Sequence, residues 1–183
     1  VLGDTLDEDD ESFGIRRSDP VNVVLGVQEG LVRILDDDPP PIVSIQDGAV
    51  AEGDSGTTDL DFDVLLSAAS SQPITVAYTT SAGSAASGTD YTPVSGALVF
   101  EPGETAHTLT VPILGDVQYE GDETFFVTLS APVNATLGDD SGVGVILNDD
   151  APPQVSIQDA ALPEGDDGLQ AMAFTVTLSA ASG

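Results

Sequence analysis

Asp61-Phe62-Asp63-Val64-Leu65-Leu66 sets Phe62, Val64 and Leu66 on one side of the chain and Asp61, Asp63 and Leu65 on the other. Side chains of an extended segment point alternately to opposite faces, so the pattern predicts a strand with one face in a core and one in water. The same period of two continues outward. Upstream, Val43 to Ile45 and Ala49 to Glu52 form a split first strand; downstream, Ile74, Val76 and Tyr78 alternate with Thr75, Ala77 and Thr79 in a third. Ala97 to Phe100 is a fourth, Leu109, Val111 and Ile113 mark a fifth, Phe125, Val127 and Leu129 a sixth, and Gly142 to Leu147 a seventh. Ser71-Gln72-Pro73, Ser87-Gly88, Glu101-Pro102-Gly103-Glu104 and Gly138-Asp139-Asp140 supply turns between them.

Short strands that each bury one face, with no apolar run at helical spacing, predict an all-β fold: an immunoglobulin-like, seven-stranded antiparallel sandwich. The unit recurs at a spacing of 112 residues without gaps. Pro40-Pro41-Ile42-Val43-Ser44-Ile45-Gln46-Asp47 returns as Pro152-Pro153-Gln154-Val155-Ser156-Ile157-Gln158-Asp159, and Glu52-Gly53-Asp54 as Glu164-Gly165-Asp166. Leu66 to Ser70 returns as Leu178 to Ser182, Leu2-Gly3-Asp4 as Leu114-Gly115-Asp116, and Ile34 to Asp38 as Ile146 to Asp150. A tandem array is therefore expected, with residues 1–38 the C-terminal part of one repeat, 39–42 a linker, 43–150 a complete repeat, 151–154 a second linker and 155–183 the N-terminal part of a third. Prolines at 39–41 and 152–153, with no glycine, make the joints stiff.

Thirty-two acidic residues face three arginines and no lysine, a net charge of −29, and no arginine follows Arg33. Such a polyanion repels nucleic acid and anionic lipid. No apolar run is long enough to span a membrane, and the absence of cysteine excludes disulfides and thiolate metal sites. The acids gather at punctuation points of the strand pattern: Glu52 after the first strand, Asp90 after the third, Asp116, Glu120 and Glu123 between the fifth and sixth, and Asp149-Asp150 after the seventh. Odd strands of an antiparallel sandwich end at one pole, so these groups are expected to meet there. Clustered carboxylates repel unless a cation lies among them, and oxygen-only donors suit Ca²⁺, whereas Zn²⁺ and Cu²⁺ prefer nitrogen or sulfur and Mg²⁺ keeps its waters. Asp59, Asp61, Asp63, Glu101, Glu104, Asp139 and Asp140 are assigned to solvated surface.

Val43-Ser44-Ile45, Glu52-Gly53-Asp54-Ser55-Gly56, Gly88-Thr89-Asp90-Tyr91, Ser95 to Phe100, Pro102-Gly103-Glu104-Thr105, Asp116 with Glu120-Gly121-Asp122-Glu123, and Asn148-Asp149-Asp150 together resemble a Calx-beta domain. The resemblance implies a sandwich that binds calcium through loops at the pole facing the next domain. It places ligands at Glu52, Asp90, Asp116, Glu120, Glu123, Asp149 and Asp150. In the first partial repeat it adds Asp4, Glu8, Glu11, Asp36, Asp37 and Asp38, and in the last Glu164. Asn148 and Gly115 stand where stronger calcium-binding members carry acids, which implies fewer or weaker ions. Cadherin-like joints offer the alternative fold-level comparison, through Asn148-Asp149-Asp150-Ala151-Pro152.

The expected function is a non-enzymatic extracellular module, of bacterial surface type, in which calcium at the interdomain poles stiffens a rod in an adhesin, matrix protein or filament. A calcium-sensing regulatory module and a passive spacer in a larger secreted enzyme are the alternatives. Expected partners are neighbouring repeats or further copies, head to tail, and a surface or matrix ligand. His107 is read as an exposed strand residue without catalytic company, the serines as turn residues, and Tyr78, Tyr91 and Tyr119 as packing or loop anchors. Arg17 aligns with Leu129 on the core-facing phase, which implies a local shift of the strand or an unseen partner.

Overall fold

The computed structural model of the chain describes residues 2–24, 26–27 and 29–181. Its strands are β1 (Glu11–Arg16), β2 (Glu29–Ile34), β3 (Ile42–Ile45), β4 (Gly48–Ala51), β5 (Gly56–Leu66), β6 (Ile74–Ala82), β7 (Ser95–Phe100), β8 (Ala106–Gly115), β9 (Glu123–Val133), β10 (Thr136–Leu137), β11 (Ser141–Leu147), β12 (Val155–Ile157) and β13 (Val176–Leu178). One sheet has the order β10-β3-β5-β8, and the sheet packed on it β4-β11-β9-β6-β7. The predicted all-β sandwich is present. The first strand is split as the pattern implied, and its halves lie in different sheets: β3 against β5, β4 against β11.

Two pairings depart from a purely antiparallel sandwich. β4 runs parallel to β11, with Gly48 opposite Gly144 and Ala51 opposite Leu147, and β10 runs parallel to β3. The first departure follows from the split, because β4 leaves β3 without reversing and meets the last strand head-on with it in direction. The second adds a short strand that the period of two is too brief to reveal.

Between the sheets lie Val43, Phe62, Val64, Ile74, Val76, Tyr91, Phe100, Val111, Ile113, Phe125, Val127 and Leu129, all essentially inaccessible. The alternation along β5 is realised in full: Leu60, Phe62, Val64 and Leu66 are buried, while Asp59, Asp61 and Asp63 face water. Phe125 is the centre of the core. Tyr91 stacks on it at 4.5 Å between centroids, and Phe62 meets it edge-on at 5.9 Å. Such aromatic pairs add specific geometry to area burial.

Among the described residues, the segments that flank the sandwich form two-stranded sheets only, β1 with β2 and β12 with β13. Their hydrogen bonds nevertheless repeat those of the sandwich at the same 112-residue offset. The Asp36 N–H donates to Asp10 Oδ1 as the Asn148 N–H donates to Asp122 Oδ1, and the Gln154 N–H donates to Ser179 Oγ as the Ile42 N–H donates to Ser67 Oγ. Arg17 lies just past the end of β1 and donates to the Val27 carbonyl at 2.8 Å, so it leaves the strand phase before reaching a core. Pro41 is buried and its carbonyl accepts from the Thr136 N–H, and Ile42 already belongs to β3, so the first joint is two residues shorter than its proline pattern suggests. The last residue of the recurring Leu178 to Ser182 segment and the one after it, Ser182 and Gly183, lie outside the described residues.

Candidate metal centre

Three chain crossings build one end of the sandwich. β4 delivers Glu52 there, and the Glu52 N–H donates to the Leu147 carbonyl at the end of β11, so the two strand ends are tied together. The segment after β6 carries Asp90. Its neighbour Tyr91 is sunk onto Phe125, the Leu114 N–H donates to the Asp90 carbonyl, and the Ala86 N–H donates to Asp90 Oδ2 at 2.6 Å. The loop from β8 to β9 carries Asp116, Glu120 and Glu123. Asp116 Oδ1 accepts from the Gln118 N–H, a local turn that Asp4 repeats with the Leu6 N–H.

The carboxylates converge in two trios. Asp90, Glu120 and Glu123 each place an oxygen within 4.8 Å of the others, and so do Asp54, Asp149 and Asp150. Asp54 is a member that the sequence reading passed over. Its signal was present in Glu52-Gly53-Asp54, but only the end of strand one was counted; Gly53, with φ +80°, turns the chain so that Asp54 swings back over the tail. The Gly53 N–H meanwhile donates to Asp149 Oδ1 at 3.1 Å.

Glu52 belongs to neither trio, feels the charges of members of both, and is only 5% exposed. Burial, followed by the negative charges of Asp116, Asp150, Glu120 and Asp149, pushes its carboxyl up to about 7. Glu123 is likewise pushed up to about 7, first by burial and then by its contact with Asp90, with Glu120 and Glu52 adding repulsion. Burial and the charges of Asp54, Asp149 and Asp116 raise Asp150. Each of these shifts says that the pole, as an assembly of acids alone, resists ionisation.

Two uncharged residues make the pole possible. A Cβ on Gly115 would lie 2.1 Å from the Gly53 carbonyl oxygen and 2.7 Å from that of Glu52. No acid can stand at this position, because backbone from β4 occupies the space. Asn148 accepts from the Glu120 N–H at 3.2 Å and donates to the Asp150 carbonyl at 3.1 Å, bracing the β8–β9 loop against the tail. An aspartate could make the first bond but not the second.

The residues fit a hard divalent cation. Among the described residues Asp150 Oδ2 is the side-chain oxygen sealed from solvent with no hydrogen-bond donor, and the largely buried Glu52 feels its charge. Buried anionic oxygens without donors are costly unless a cation takes the donors' place. No Lys or Arg follows Arg33, so the chain itself offers none here.

The other assigned acids behave differently. Asp4, Glu8, Glu11, Asp36, Asp37 and Asp38 do line one depression of about 110 Å³. Glu8 and Asp38 are raised, by partial desolvation first and by their acidic neighbours second. Among the described residues, however, no three of them reach mutual ligand distance. Glu164 is exposed and is not gathered with other acids. The seven acids assigned to solvated surface are all exposed. His107 is half-buried instead of exposed: its ring meets Phe100 edge-on at 4.7 Å and its Nε2 pairs with Glu104 at 3.1 Å, holding the Glu104 carboxyl below its usual range together with a backbone bond to Glu101. Tyr91 packs as expected, whereas Tyr119 is 40% exposed.

A closed sandwich with oxygen donors from several loops at one pole defines a class of cation-holding β-module. The chain belongs to the Calx-beta domain family, whose model matches residues 36–151. Sodium/calcium exchanger 2 of Rattus norvegicus is 37% identical over 114 residues, covering 53% of this chain and 12% of the exchanger. Extracellular matrix protein 3 of Lytechinus variegatus is 29% identical over 166 residues, covering 81% of this chain and 5% of that protein. The chain thus spans a small fraction of the curated relatives it matches. Among solved structures, CBD12 from CALX1.2 superposes with a TM-score of 0.56 at 25% identity, covering 64% of this chain and 49% of the other. The calcium binding domain CBD12 of CALX1.1 has the same fold at 24% identity, TM-score 0.56, over 64% and 50%.

Proposed function

We propose that the chain is a non-enzymatic, calcium-binding segment of an extracellular repeat protein, in which ions at the pole of each closed sandwich stiffen its joint with the next repeat. The observation that carries the reading is Asp150 Oδ2, sealed from solvent without a donor in one of two trios of acids that come from loops far apart in sequence. Calcium fits better than other cations because all donors are oxygens and their arrangement is irregular. The sodium/calcium exchangers among the relatives support the choice of ion, and the matrix protein supports an extracellular rod.

Glu52, Asp54, Asp90, Asp116, Glu120, Glu123, Asp149 and Asp150 would hold the ions. What calcium supplies is charge: it neutralises loops that otherwise repel, and because the site exists only in the folded chain, binding adds to stability. The exposed apolar residues of the two-stranded flanks, Phe13, Ile15 and Leu31 at one end and Val155, Ile157 and Val176 at the other, call for cover by neighbouring repeats or by further copies head to tail. With two trios, titration calorimetry should show two ions per chain, bound at roughly 10⁻⁴ to 10⁻³ M as in extracellular modules. Free calcium at a hundredfold the dissociation constant adds about 2.7 kcal/mol per ion, enough to raise the melting temperature by roughly 10 °C. A melting temperature that is the same in calcium and in chelator sinks the proposal.

A further inference from the structure

Ser70 is, with Glu52, one of two buried polar residues among those described, at 2% exposure. Its hydroxyl proton has no acceptor within its own sandwich. The hydroxyl donates to Asp7 of the preceding partial repeat, to Oδ2 at 2.9 Å with the backbone carbonyl at 3.2 Å. Beside it, the Ser71 N–H and Ser71 Oγ both donate to the Asp7 carbonyl at 3.1 Å, and Gln72 Nε2 donates to Asp9 Oδ1 at 2.7 Å. The receiving loop is anchored from behind, since the Gly103 N–H donates to the Ser70 carbonyl and the Gln72 N–H to Ser70 Oγ. A buried hydroxyl needs a partner, and hydrogen bonds to a carboxylate are among the stronger ones.

Resting on the reading of the chain as repeats stacked in series, we infer that the Ser70–Gln72 loop is a docking socket for the acidic loop of the preceding repeat, and that the residues at the positions of Asp7 and Asp9 set how rigid each joint is. At the first joint both positions carry carboxylates. At the second, 112 residues on, they are Tyr119 and Gly121, which offer none. Tyr119 is 40% exposed, and the loop there faces Ala180 and Ala181 across an open cleft of about 270 Å³ lined also by Asp116, Val117 and Gln118. The loops that precede the two joints therefore differ in what they offer a socket: two carboxylates at the first and none at the second. Asp7 also sits between Asp4 and Glu8 in the acid-lined loop.

The absence of cysteine makes the test clean, because exposed positions can be converted and spin-labelled in the full chain. Ser12→Cys with Thr108→Cys reports the first joint, and Thr108→Cys with Thr177→Cys the second. Pulsed dipolar spectroscopy is expected to give a distance distribution at the first joint no more than half as wide as at the second. Asp7→Tyr with Asp9→Gly should widen the first at least twofold, and Gln72→Ala should widen it less. These changes leave the sandwich of residues 43–150 intact, which its unchanged melting temperature will verify. Equal widths at the two joints, or an unchanged width in the Asp7→Tyr, Asp9→Gly chain, overturn the inference. Stability that ignores calcium would sink the proposed function and leave the contrast between joints standing.

Discussion

The pole of the closed sandwich and the acid-lined loop of residues 4–38 share one sequence and differ in chemistry. Asp116, Glu120, Glu123, Asn148, Asp149 and Asp150 correspond, 112 residues apart, to Asp4, Glu8, Glu11, Asp36, Asp37 and Asp38. The second set has one acid more, since Asp36 replaces Asn148. Yet only the first forms trios at ligand distance. What separates them is the other half of the unit: Glu52, Asp54 and Asp90 arrive on β4 and on the segment after β6, and residues 1–38 contain neither element. A count of carboxylates is therefore a poor guide to a metal site. Closure of the sandwich, which buries Glu52 and wedges Asp90 over the core, is what turns acids into a centre.

That comparison breaks or holds most sharply at Glu52 against Glu8. Glu52→Gln should weaken calcium binding about a hundredfold, equivalent to about 2.7 kcal/mol, while raising the melting temperature of the chelated chain, because a largely buried charge among other acids has been removed. Glu8→Gln should change calcium binding less than twofold. A titration of both variants, with melting curves in chelator, checks the pair. If Glu52→Gln lowered stability in chelator as well, Glu52 would be a structural hydrogen-bonding residue and the distinction between the poles would fail.

Gly115 and Gly3 offer the same contrast without any charge. A Cβ on Gly115 meets the Gly53 and Glu52 carbonyls, whereas nothing lies within 4 Å of one on Gly3. Gly115→Ala should cost about 1–3 kcal/mol as a forced overpacking and should loosen the hold on calcium with it. Gly3→Ala should stay within about 0.5 kcal/mol. Chemical denaturation of the two variants measures the difference.

The strand pattern was legible because burial on one face imposes it residue by residue, as along Leu60 to Leu66, and strand parity anticipates the grouping of Asp90 with Glu120 and Glu123 and of Asp149 with Asp150, while Glu52 and Asp116 stand in neither trio. What stayed hidden depends on backbone proximity. Asp54 enters through the turn at Gly53, and Gly115 reads as a missing acid until the chain of β4 is seen against it. Asn148 reads as a lost charge until both of its bonds are seen. The parallel pairing of β4 with β11 is invisible to a period of two, which records which face is buried and not who the neighbour is. The Asp7 to Ser70 contact carries no sequence signal at all, because an aspartate and a serine become partners only once two repeats are docked.

The smallest expected effect is in pH, and its sign distinguishes the pole from an ordinary acidic surface. Glu52 and Glu123 titrate near 7 in the folded chain against an ordinary value of 4.5. Between those limits the folded state holds protons that the unfolded state has released, so stability in chelator must fall as pH rises from about 4.5 to about 7 and level off above. Surface carboxylates paired with cations give the opposite slope. Calcium should flatten the profile, since its binding expels the same protons, and its affinity should weaken as pH drops below 7. The melting temperature in chelator is expected to be a few degrees higher at pH 5.5 than at pH 8, with Glu52→Gln removing a large part of that difference and Glu8→Gln removing less. A chelated chain whose stability rises over this range would mean that Glu52 and Glu123 are already ionised and solvated, and the closed pole would then differ from residues 4–38 in outline alone.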